Sequence, residues 1–217
     1  MNRALIVKEL RESAGLAALT AVGAAWVLAN LWGVPITPWD SRQATELPFV
    51  NDNSLYGALG VLGGGFAALL ALKQSAWEEM KGTFRYLLYR PIERRRVVLT
   101  KMAVGVAAVM ALMGAFILLH AAWAAAPGHH PSPFFWSMTV PAWHIWLVLP
   151  LVYLGAMLTG LRPGRWYGSR LLPAAAAGAL AFVLGAQPWW WVALAGSAIA
   201  SLFFAACILH VARVRDF

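Results

Sequence analysis

Few side chains in this sequence are placed to do chemistry. His129 and His130 stand side by side in PGHHPSP, and two adjacent imidazoles in a Pro-rich loop give a metal only part of a ligand set. His120, His144 and His210 fall at the ends of apolar runs, where amphipathic side chains commonly sit. A membrane-embedded hydrolase needs a nucleophile and a base held together, and His144 with Ser137 or Tyr153 is the one nominal pairing. Cys207 is the single cysteine and lies inside an apolar run, so it forms no intrachain disulfide and reads as a small buried thiol. The chain contains no G-x-x-x-x-G-K-[ST], no H-E-x-x-H and no G-x-S-x-G, the motifs of phosphate loops, zinc peptidases and serine hydrolases. Gly63-Gly64-Gly65 lies within an apolar run and reads as close helix packing. Catalytic, cofactor and metal ligands are therefore not assigned on this chain.

The elements that carry these residues are those of a membrane protein. Of 217 residues, 61% are hydrophobic and 12% charged, with a mean hydropathy of +0.66; a soluble domain carries about twice that charged fraction. The net charge is +8, but the basic residues flank apolar runs and form no face of a polar domain. They read as topology signals and headgroup anchors, with no nucleic acid implied. No cleavable signal peptide is recognised at the N-terminal end, because the run after Ser13 is long enough to span and lacks a clear cleavage site.

A span needs about 20 apolar residues. The pattern predicts an all-α polytopic protein of one domain, residues 1–217, with six transmembrane helices: Gly15–Gly33, Leu55–Leu72, Met102–Trp123, Ile145–Leu161, Leu171–Ala186 and Trp189–Val211. Gln187-Pro188 between the last two predicts a hairpin. No Asp, Glu, Lys or Arg lies inside these six runs, which argues against an ion-coupled carrier. With both termini cytoplasmic, 16 of the 17 Lys and Arg residues fall inside and only Arg42 outside, a positive-inside pattern. Residues 1–13, with Ile6, Leu10 and the Ser13-Ala14 edge at helical spacing, predict an amphipathic helix along the inner surface before the first span. Small residues at steps of four (Gly60 and Gly64; Ala107, Ala111 and Ala115; Ala177, Ala181 and Gly185) predict close packing within the bundle or across a dimer. Trp32, Trp39, Trp123, Trp136, Trp143, Trp146 and Trp189–Trp191 cluster toward the outer surface, with Trp77 and Trp166 toward the inner one, as an interfacial aromatic belt.

The polar island between the second and third runs, residues 73–101, holds eight of the 17 basic residues. Ser75 followed by Glu78 predicts a capping box opening a helix at about Ala76, which Pro91 stops. This island resembles the type-2 permease family of ABC exporters. In that family the second span leads into a cytoplasmic helix of pattern E-x-x-x-G-T-hydrophobic-x-x-L-L, then a Pro-hydrophobic pair, basic residues and a Lys opening the third span. Glu78, Gly82, Thr83, Phe84, Leu87, Leu88, Pro91, Ile92, Arg94–Arg96 and Lys101 match it, and Val7–Glu12 looks like the family's opening. The chain departs at Arg85-Tyr86, where the family carries an acidic residue.

The resemblance implies a permease subunit in a bacterial-type cytoplasmic membrane, without an ATPase domain of its own. A separate cytoplasmic ABC ATPase would bind ATP-Mg, and a second permease subunit, identical or not, would complete the path. The helix from about Ala76 to Tyr89 would couple to the ATPase, with Glu78, Glu79, Arg85 and Arg90 as polar contacts and Phe84, Leu87 and Leu88 as the apolar anchor; Gly82, Thr83 and Pro91 shape it. Two other classes remain open: a membrane scaffold that binds a partner through the same island, and a membrane-embedded enzyme.

Overall fold

A computed structural model describes residues 3–34, 48–49, 53–81, 93–128, 133–162 and 169–214. Among the described residues every regular element is a helix. In chain order these are α1 (Arg3–Leu31), α2 (Ser54–Met80), α3 (Arg94–Ala125), α4 (Trp136–Leu161), α5 (Leu172–Gly185) and α6 (Trp190–Val214). All but α5 are long and apolar enough to cross a membrane. The 14 residues of α5 rise about 21 Å, less than the ~30 Å of a hydrocarbon core. The expected hairpin is present: α5 and α6 are separate helices that pack on each other across Gln187-Pro188.

The hub is α4, which packs against α2, α3, α5 and α6. In its most apolar window 72% of residues are buried, against 22% in α1 and in α6. Glycines set the spacing. A Cβ on Gly155 would lie 2.2 Å from Ala177 Cβ, and one on Gly160 would lie 1.9 Å from Ser75 Oγ, so backbones meet there at distances only hydrogen allows. The small-residue stripes divide accordingly. Ala177 and Ala181 are buried, whereas Ala107, Ala111 and Ala115 point outward, and nothing lies within 4 Å of a Cβ placed on Gly60 or Gly64.

Two expectations are corrected. The expected surface helix over residues 1–13 is not separate where it is described, because α1 runs unbroken from Arg3 to Leu31. Its buried stripe begins Leu5, Glu9, Ser13, while Leu10, assigned to an apolar surface face, is 51% exposed. Ser75-Glu78 is no capping box, and no helix begins at Ala76. The helix of α2 is continuous to Met80, and Ser75 Oγ donates back to the Ala71 carbonyl at 2.6 Å, a mid-helix habit of serine. What continues α2 is a π turn over Lys73–Trp77. Its wider winding buries three successive residues, Gln74, Ser75 and Ala76, which a regular amphipathic helix would not do.

Candidate functional site

Charge gathers at one end of the bundle, where the island leaves α2 and enters α3. Lys101, immediately before α3's apolar run, is wholly buried, and its ammonium donates to Glu9 of α1 at 2.7 Å and to Glu78 of α2 at 2.6 Å. Glu9 is itself fully buried. Its second oxygen accepts from Gln74 Nε2 at 3.1 Å. The hydroxyl of Tyr153, on α4, donates to Gln74 Oε1 at 2.5 Å and also lies 3.1 Å from the Lys101 carbonyl. Four helices thus meet in one polar network. Two elements make it possible: the π turn sets Gln74 and Glu78 inward together, and Gly105 admits the Tyr153 ring, since a Cβ there would lie 2.2 Å from its hydroxyl.

Lys8 lies 3.4–3.6 Å from Glu12, Glu78 and Glu9 at the network's edge. Carboxylate oxygens of Glu9, Glu12 and Glu78 fall within 4.8 Å of one another, close enough for a cation, but the two ammonium groups already supply the counter-charge. Glu79 points elsewhere, 3.6 Å from Arg170, whose guanidinium donates to the Thr159 and Gly160 carbonyls at the end of α4.

Of the residues expected to face an ATPase, Glu78 and Glu79 are therefore held by Lys101 and Arg170 within the chain. Gly82, Thr83, Phe84, Arg85, Leu87, Leu88, Arg90 and Pro91 lie outside the described residues, as do His129, His130, Trp39 and Trp166. The network was missed because all three of its charged members sit just beyond the ends of the apolar runs, where they read as topology signals. The available signal was their complementarity: two carboxylates and a lysine at the same end of three consecutive runs.

The nominal pairing of His144 with Tyr153 is not brought together. Tyr153 is nine residues from His144 on α4, about 14 Å along the axis, and its hydroxyl belongs to the network; Ser137 is exposed. His144 is buried. His120, wholly buried at the other end of α3, accepts from Trp32 Nε1 at 3.2 Å and stacks on Trp123 at 5.7 Å. Cys207 is half-buried and lines a hollow with Arg162 and His210. Trp136 and Trp189–Trp191 are all more than half exposed, as a belt residue would be.

An apolar groove of about 550 Å³ runs between α2 and α5, walled by Gly57, Gly60 and Gly64 on one side and by Gly178, Ala181 and Gly185 on the other, over Val148 and Val152 of α4. No protein-family model, curated protein or solved structure matches the chain.

Proposed function

We propose that this chain is the membrane-spanning permease subunit of an ABC exporter, driven by a separate cytoplasmic ATPase and paired with a second permease subunit. One observation carries the proposal. Glu78 and Lys101, which flank in sequence the segment 82–92 that holds the Gly-Thr-Phe and Leu-Leu of the resembled coupling helix, are paired with each other. A push on that segment would reach α1 through Glu9 and α4 through Gln74 and Tyr153, so an ATPase docked there would move four helices as a unit. The coupling contact then comes from Thr83, Phe84, Arg85, Leu87, Leu88 and Arg90, because the Glu78 and Glu79 carboxylates face other elements of the chain. The open glycine-walled groove between α2 and α5 supports a path completed by a second subunit. Six spans with both termini cytoplasmic go with this reading, α5 crossing with its flanking residues.

The orientation is tested in a Cys207→Ala background with an impermeant thiol reagent on intact cells. Ala126→Cys should label from outside and Lys81→Cys only after the membrane is opened. Labelling of Lys81→Cys from outside would remove the orientation and the coupling together. Purification from native membranes tests the partner: an ABC ATPase should come down with the wild-type chain. Recovery of other proteins without any ATPase would favour a scaffold.

A further inference from the structure

The base of α2 carries a second feature that the coupling proposal does not use. Leu69, Lys73, Trp77 and Lys81 follow one another at steps of four and line the same side of the helix's end. Beside them lies a hollow of about 600 Å³ whose apolar part is made by Leu16 of α1 with Leu72 and Met80 of α2. Its walls face outward from the bundle: Leu69 is 56%, Trp77 51% and Met80 68% exposed. Lys73 and Lys81 complete the lining. Lys73 donates to the Glu12 backbone carbonyl and the Lys81 ammonium lies 5.2 Å over the Trp77 ring. Neither has a carboxylate partner among the described residues, whereas nearby Glu12, Glu78 and Glu79 lie against Lys8, Lys101 and Arg170.

We infer that this hollow seats one anionic phospholipid of the leaflet on the side of the basic island. An acyl chain fits along Leu16, Leu69 and Leu72, which is the chemistry of the hydrocarbon region. The phosphate then falls between the two lysines, which have no carboxylate partner among the described residues. Trp77 stands between the two lysines, at the interfacial depth where an indole ring settles. Charge complementarity above an apolar trough selects a lipid over a partner helix, which would bury both ammonium groups against apolar surface. The inference needs only that the chain lies in a membrane, and stands whether or not the chain is a permease.

Native mass spectrometry of the purified full-length chain, titrated separately with phosphatidylglycerol and phosphatidylcholine of identical acyl chains, tests it. Wild type should retain one phosphatidylglycerol at concentrations where phosphatidylcholine is lost. Lys81→Gln, at an exposed position, should weaken that retention about fivefold, and Lys73→Gln with Lys81→Gln about thirtyfold, with phosphatidylcholine unchanged. Arg94→Gln with Arg95→Gln, exposed and outside the hollow, should leave it unchanged. Equal retention of the two lipids by wild type, or undiminished phosphatidylglycerol binding by the well-folded Lys81→Gln variant, would overturn the seat.

Discussion

Lys101→Met is expected to cost about 3–5 kcal/mol of stability, because it leaves the buried carboxylates of Glu9 and Glu78 with only the more distant, half-exposed Lys8 ammonium to answer them. Both anions lost water on folding, and Lys101 is the group that compensates each of them at under 3 Å. The ion network is not expected to be worth that much by itself. The desolvation of three charges roughly offsets their attraction, so neutralising the whole set should restore most of the loss. Glu9→Gln, Glu78→Gln and Lys101→Met combined should recover the thermal midpoint of the detergent-solubilised chain to near wild type. That midpoint is read by fluorescence-detected size exclusion. A single variant as stable as wild type, or a triple variant no better than the single, would contradict the geometry of the network. A triple variant that is stable but uncoupled from its ATPase would separate a transmission role from a structural one.

Gly160→Val is expected to be the next most damaging change. The added carbons meet Ser75 Oγ at 1.9 Å, Ser75 Cβ at 2.7 Å and the Ala76 backbone nitrogen at 3.0 Å. A serine hydroxyl can rotate away, but the backbone of α2 cannot, so α2 and α4 must part at the level of Gln74 and Tyr153. Overpacking of this kind costs about 1–3 kcal/mol or more. Gly60→Val makes the matching control, for nothing lies within 4 Å of its Cβ; its stability should stay within about 0.5 kcal/mol of wild type. The opposite ranking would mean that the Gly60/Gly64 pair, and not Gly160, brings helices together within the monomer.

These two positions show what the sequence could and could not convey. Hydropathy marks the apolar runs because a membrane span is a property of composition over about 20 residues, and Pro188 marks the α5–α6 hairpin for a local steric reason. Helix continuity is not local in that way. Lys8, Glu9 and Glu12 look like the polar face of a surface helix until the tertiary structure supplies Lys101 to pair with Glu9, and α1 then runs straight through. Ser75 and Glu78 have the spacing of a capping box, yet the π turn at Lys73–Trp77 carries the helix past them. No spacing rule announces a π turn, since what favours it is the burial of Gln74 and Glu78 against neighbours far away in sequence. Small-residue stripes tell that helices can approach, not which do. Gly160 lies outside the small-residue stripes picked out in the sequence, and yet a Cβ there would meet Ser75 more closely than a Cβ on any other described glycine meets a neighbour.

The central claim is that a cytoplasmic ATPase works through segment 82–92. ATP hydrolysis by the co-purified ATPase, measured in lipid nanodiscs with the wild-type chain and with Leu88→Asp and Arg85→Glu at matched amounts, tests it most directly. Wild type should stimulate hydrolysis over the ATPase alone. Leu88→Asp should lose both ATPase binding and stimulation, because it sets a charge into an apolar contact, and Arg85→Glu should weaken both. Normal binding and normal stimulated hydrolysis in both variants would contradict the coupling role of the segment.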